Sequence, residues 1–134
     1  MTVVISSTLV ARLLSEAAAS PDIEICGLLF GNEDRIDSVQ SCANVAVDPA
    51  CGFEIGPRAL IAAHRSARAG GPALCGCYHS HPNGRREPSE RDRAGAAGDG
   101  SIWAIIADGG MTFWQTRARG EFERIDHRIS DRAA

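Results

Sequence analysis

No lysine occurs anywhere in the 134 residues; the 14 basic side chains are all arginine, set against 17 acidic ones, for a formal net charge of -3. With no basic excess there is no general electrostatic reason to expect nucleic acid or an anionic membrane as partner. The missing lysine has two readings. A chain that handles lysine-linked conjugates could avoid becoming one, or a compositional bias that also favours Ala and Gly could have removed it. No apolar run approaches 18 residues, and Met1-Thr2-Val3-Val4-Ile5-Ser6 has no basic segment followed by a long apolar stretch. Neither a membrane-spanning helix nor a secretory leader is expected, and cytoplasmic location is the default. No repeat, linker or low-complexity segment divides the chain. Its length and 44% hydrophobic content suffice for one core but not two, so residues 1–134 are expected to form a single domain.

Paired zinc-finger spacing is also missing. The five cysteines (Cys26, Cys42, Cys51, Cys75 and Cys77) are odd in number, which fits reduced thiols better than a disulfide framework. Cys75, Cys77, His79 and His81 alternate along one segment, so all four are expected to face one side of a strand. They could share a metal, but free cysteine behaves mostly as a small buried hydrophobe, and packing beneath the strand is the expectation.

What is present reads as alternating helices and strands. Ser6 or Ser7 caps a helix to about Ala18, with Leu9, Leu13, Leu14 and Ala17 on its apolar stripe. Ile25 to Phe30 and Ile36 to Val47 read as a strand hairpin around Gly31-Asn32-Glu33-Asp34. Pro57 opens a helix to about Arg68, which Gly70-Gly71-Pro72 stops. Leu74 to His81 is a strand, Ser89 caps a helix from about Glu90 to Ala97, and Ile102 to Ala107, Met111 to Gln115 and Phe122 to Ile125 close the domain. The tail after His127 is expected to fray. Trp103 and Trp114 suit strands packed in or beside the core. His64 is expected at an exposed or core-edge helix position, His127 beside a loose terminus, and Arg85 and Arg86 in a solvated loop that could meet substrate.

The densest chemistry lies in His79-Ser80-His81-Pro82, followed by Pro88-Ser89 and Asp92. Residues i and i+2 of a strand share a face, so the two imidazoles can converge on one ion, and Asp92 completes a triad of protein ligands. Two histidines and one acid with a fourth position open make the ligand set of a catalytic zinc site. The serine and aspartate also fit a plain alternative. Ser-x-x-Asp is a helix-capping arrangement, with Asp92 in the first turn where the helix dipole favours a carboxylate.

Together with Pro21-Asp22-Ile23-Glu24-Ile25-Cys26-Gly27-Leu28-Leu29-Phe30-Gly31, this stretch closely resembles the JAMM, or MPN-plus, metalloprotease family over nearly the whole chain. The shared pattern is an early glutamate, then His-Ser/Thr-His-Pro, with seven residues (82–88 here, the proline included) between the second histidine and a serine, two more and an aspartate. The resemblance implies zinc, one per chain, on His79, His81 and Asp92, with Glu24 as general base and Ser89 stabilising the oxyanion; Asp22 is the alternative base. It implies an α/β fold, a single mixed β-sheet flanked by helices. It further implies a peptidase or isopeptidase acting after the C-terminal Gly-Gly of a ubiquitin-like or sulfur-carrier protein. A non-catalytic MPN assembly module and a broad-specificity metallopeptidase are the alternatives. A zinc deaminase would need His-x-Glu with Pro-Cys-x-x-Cys, and neither occurs.

Overall fold

A computed structural model describes residues 1–131. Seven strands and three helices follow in the order β1 (Thr2–Ser6), α1 (Ser7–Ala18), β2 (Cys26–Gly31), β3 (Arg35–Cys42), α2 (Pro57–Arg68), β4 (Leu74–Ser80), α3 (Glu90–Gly95), β5 (Ile102–Ala107), β6 (Gly110–Thr116) and β7 (Phe122–Ser130). The sheet is mixed, as expected, with β2–β3, β2–β4, β5–β6 and β6–β7 antiparallel and β4–β5 parallel.

It is also closed. The order β1-β3-β2-β4-β5-β6-β7 returns to its start because β1 runs parallel to β7 from Thr2 opposite Asp126 to Ser6 opposite Ser130. This corrects two expectations. Residues 2–6 form a strand where none was expected, and residues 128–130 of the tail are paired instead of fraying, because β1 supplies their partner; the tail's residues 132–134 lie outside the described ones.

Local chemistry sets the helix starts. The Ser6 side chain accepts from the Leu9 N–H at 3.2 Å, satisfying one of the first-turn donors of α1. Pro57 opens α2, where its missing N–H costs nothing. Alternation along the strands then separates two apolar clusters. Leu29, Tyr78 and Phe113 pack with Leu9 and Leu13 of α1, while Leu28, Phe30 and Ile55 pack with Ala63 of α2 on the opposite face.

Two local features differ from the sequence reading, and α3 ends at Gly95, short of the expected Ala97. β3 ends at Cys42, not Val47, because the Asn44 side chain bonds the backbone of residues 46, 52 and 54 and turns the chain into a loop. In β4 the pairing with β2 slips between Leu29, opposite Gly76, and Phe30, opposite Leu74. The extra residue, Cys75, turns toward the α1 side while Cys77 stays with the α2 side. The expected single file of Cys75, Cys77, His79 and His81 is thus broken at its first member.

One glycine in β2 and one in β4 have no room for a Cβ. A Cβ on Gly27 would meet the Gln40 carbonyl and the Tyr78 ring, and one on Gly76 would meet the Ile102 backbone. Glycine there lets the motif strand sit between its neighbours without displacement.

Candidate metal centre

Four acidic and imidazole side chains from three segments converge at the end of β4. Candidate ligand atoms of Glu24, His79, His81 and Asp92 all lie within 4.8 Å of one another, and all four residues are buried. His79 and His81 come from β4 and its last turn. Asp92 comes from the first turn of α3, and Glu24 from the stretch just before β2.

Each is held by identifiable bonds. The His79 ring stacks on Phe53 at 4.3 Å between centroids and meets Trp103 edge-on at 5.8 Å. His81 Nδ1 lies 2.8 Å from the Arg85 carbonyl oxygen, which can only accept; Nδ1 therefore carries a proton, and Nε2 is the nitrogen that faces His79 and Asp92. Asp92 Oδ2 accepts from the Ser89 N–H at 2.9 Å while the Ser89 hydroxyl accepts from the Asp92 N–H at 3.0 Å, a reciprocal capping box. Capping and site-building are thus one arrangement, since the cap aims Asp92.

Glu24 is fixed through its backbone. Its N–H donates to the Pro49 carbonyl at 2.8 Å, and its carbonyl accepts from Asn44 Nδ2 at 2.9 Å. The next residue is stitched to β4: the Ile25 N–H donates to the Ser80 hydroxyl at 2.9 Å, and the Ser80 N–H to the Ile25 carbonyl at 3.1 Å. Sequence reasoning missed both Asn44 and Ser80. The Ser80 position between two histidines was a signal, because a residue facing away from the site is the one that can tie its strand to the next segment.

The donor set fits a divalent metal. His79 Nε2, His81 Nε2 and Asp92 Oδ2 are separated by 3.0, 3.0 and 3.1 Å. A tetrahedral zinc with bonds of about 2.0–2.2 Å would space its ligand atoms by about 3.3 Å. Glu24 Oε1 and His79 Nδ1 are buried without a hydrogen-bond partner, an expense folding rarely tolerates outside functional sites.

Electrostatics are correspondingly perturbed. Burial pushes Glu24 up to about 7, with His81 opposing and the Asp92 charge reinforcing the rise. Burial would raise Asp92 too, but hydrogen bonds with His79, His81 and the Ser89 N–H hold it well below the usual carboxylate range. Burial lowers His79 despite Asp92 beside it. For His81 burial is outweighed by its bonds to Asp92 and the Arg85 carbonyl, and its value rises.

The remaining candidates fall elsewhere. Asp22 is exposed and outside the cluster. Cys75 and Cys77 contribute no atom to it, and burial raises both thiols. His64 is exposed on α2, and His127 is exposed with its ring against Phe113. Trp103 is buried over the site, whereas Trp114 is half-buried. Arg86 pairs with Asp108 at 3.6 Å, and it is the Arg85 carbonyl, not its side chain, that serves the site. A cleft of about 740 Å³ runs from Asp92 past Trp103, Cys77, Phe53 and Ile55.

No helix among the described residues is long and apolar enough to cross a membrane. The family described as prokaryotic homologs of the JAB domain matches residues 6–117. A desampylase of Haloferax volcanii is 33% identical over 99 residues, covering 72% of this chain and 71% of the relative. A Desulfitobacterium hafniense protein solved in solution superposes with a TM-score of 0.82 at 22% identity, over 98% of this chain and 95% of its own. A JAB1/MPN domain protein of Archaeoglobus fulgidus does so with a TM-score of 0.62 at 21% identity, over 95% and 98%. At those identities the two structures speak for the fold.

Proposed function

The chain belongs to the JAB (JAMM/MPN) family in its prokaryotic branch and is an enzyme of the JAMM peptidase/isopeptidase type; from that premise we infer that it is a zinc-dependent hydrolase cleaving after the C-terminal Gly-Gly of a ubiquitin-like or sulfur-carrier protein. The observation that carries this reading is the buried convergence of two imidazoles and two carboxylates, one of which, Glu24, has an unpartnered oxygen.

In this reading His79, His81 and Asp92 hold one zinc. When bound, the ion lowers the pKa of water and polarises a carbonyl. The chain's own residues do the rest. Glu24, pushed up to about 7, is matched to taking a proton from water and returning it to the departing amine. The Ser89 hydroxyl accepts from the Asp92 N–H through its oxygen, which leaves its own hydrogen to donate to a developing oxyanion. Phe53 and Trp103 wall the site and limit the entry of bulk water.

The cleft supports the tail-specific reading. Residue 55 bridges residue 44, and the Val45 N–H donates to the Glu54 carbonyl; the backbone groups of Phe53 and Ile55 therefore face away from that pairing. An extended tail can add to such an edge through backbone bonds, and glycines let it pass close to the site. The Haloferax volcanii relative bears the name desampylase, consistent with a modifier protein as substrate.

Mass spectrometry of a Gly-Gly carrier bearing one extra C-terminal residue, its Ala-Ala version and denatured casein tests the proposal. The zinc-loaded wild type is expected to trim the first only, and Glu24→Gln to keep zinc while losing about 10²- to 10⁴-fold in turnover. Equal cleavage of all three would select the broad metallopeptidase, and full activity in Glu24→Gln would remove the base assignment.

A further inference from the structure

We propose that Thr112, on β6 and outside the metal-binding set, is a positioning residue that fixes which nitrogen of His81 faces the metal. The proposal rests on the reading of His81 as a ligand. Its geometry is a short relay. The Trp114 indole N–H donates to the Thr112 hydroxyl oxygen at 3.0 Å, and the Thr112 hydroxyl donates to the Arg86 carbonyl at 2.7 Å. One residue earlier, the Arg85 carbonyl accepts from His81 Nδ1 at 2.8 Å.

Thr112 is buried and its hydroxyl has no freedom. With the indole occupying its acceptor side, its single hydrogen points to the Arg86 carbonyl. The rest of what holds the loop that carries this carbonyl lies on its exposed residues, apart from the buried Pro88 beyond it. Residues 82–87 are exposed, and beyond Thr112 the loop is fixed by the Gly84 N–H donating to the His81 carbonyl at 3.0 Å, by the Asn83 side chain accepting from the Arg85 N–H at 2.9 Å and by the exposed Arg86 guanidinium against the Asp108 carbonyl and carboxylate. The Thr112 bond is the buried anchor, and it sits next to the carbonyl that keeps the proton on His81 Nδ1.

The consequence is chemical. If the loop shifts, His81 loses its Nδ1 acceptor, the ring samples the tautomer with hydrogen on Nε2, and the lone pair turns away from His79 and Asp92. Partners of this kind, bonded to the far nitrogen of a ligand histidine, change metal affinity by about 10- to 100-fold when lost. Val is nearly isosteric with Thr and lacks the hydroxyl, whereas Ser keeps it.

The test compares wild type, Thr112→Val and Thr112→Ser as full-length chains, with two readouts that need no substrate. Zinc affinity is measured by competition with a chromophoric chelator. The bond from His81 Nδ1–H to the Arg85 carbonyl is read in the metal-free protein from the Nδ1–H proton signal and its exchange with solvent. Thr112→Val is expected to bind zinc about 10- to 100-fold more weakly and to exchange that proton about 10-fold faster, with Thr112→Ser restoring both; a mere loss of packing would lower thermal stability without moving the Nδ1–H signal. Wild-type affinity and a wild-type Nδ1–H signal in Thr112→Val would overturn the relay. Should that variant not fold, Trp114→Phe, which frees the hydroxyl's acceptor side and keeps the space filled, is read the same way, with a loss of three-fold or more supporting the relay and no change overturning it. Because the Nδ1–H signal is read without metal, it decides the relay even if wild type binds no zinc, an outcome that would remove only the metal reading.

Discussion

Replacing Glu24 by Gln should make the metal-free protein more stable at alkaline pH while barely changing it in mild acid. The Glu24 carboxyl is buried, and one oxygen has no partner, so ionising it there is costly. Its folded-state value near 7 compares with 4.5 when unfolded. Below 4.5 both states hold the proton and no stability is lost. Between 4.5 and 7 the unfolded chain releases it while the folded chain keeps it, so stability falls as pH rises; above 7 the loss is complete. A shift of that size corresponds to roughly 3 kcal/mol, of which roughly 2 to 3 is lost between pH 5 and pH 8. Urea denaturation of chelator-treated wild type and Glu24→Gln at both pH values measures it. Taking the difference between the two proteins cancels the titration of groups that do not interact with Glu24; His81 and Asp92 do, and their coupling to it is part of the difference read. A wild-type minus variant difference that stays constant from pH 5 to pH 8 would mean that the Glu24 carboxylate is solvated or paired, and would refute the burial argument.

Three further outcomes are expected. Metal analysis is expected to find one zinc per chain in wild type and none in the double variant His79→Ala, His81→Ala, which removes two of the three proposed ligands; retained stoichiometric zinc would point to the cysteines instead. Ser89→Ala should cost about 1 kcal/mol through the lost cap and about 10²- to 10³-fold in turnover if the hydroxyl serves the oxyanion; a stability loss with unchanged turnover leaves only the cap. Gly27→Ala should destabilise by at least about 2 kcal/mol in urea, because the added methyl would meet the Gln40 carbonyl and the Tyr78 ring; near-wild-type stability would show that those two groups can give way.

The helices, the β2–β3 hairpin, β4 and β5 were legible because each carries a local signal: a cap, a proline at the first turn, or an apolar run bounded by turn residues. The candidate ligands were legible for the same reason, since His79 and His81 are two apart on a strand and Asp92 is three from its cap. What sequence hid is non-local. β1 is five residues with little pattern of its own, and its existence depends on β7 and β3, more than a hundred and about thirty residues away. The slip at Cys75 is set by pairing with β2, so the alternation seen in sequence does not survive it. Asn44 and Ser80 look like ordinary loop and strand residues until the chain brings Glu24 against them. The Arg85 carbonyl has no sequence signature at all, because any residue supplies one.

The pairing of β1 with β7 makes the domain's completion a late event in synthesis. β1 leaves the ribosome first, yet it makes only two register pairs with β3 and five with β7. Until residues 122–130 emerge, most of its backbone donors and acceptors are open to any other strand, and contacts spanning so much chain form slowly. The segments that carry Glu24, His79, His81 and Asp92 all precede that moment, so they are synthesised while the barrel is still open on one side. A nascent chain arrested before β7 would therefore expose the unpaired edge of β1. The nine-residue β7 covers that edge only when it pairs with it, so protection from edge-to-edge association comes late in the making of the domain.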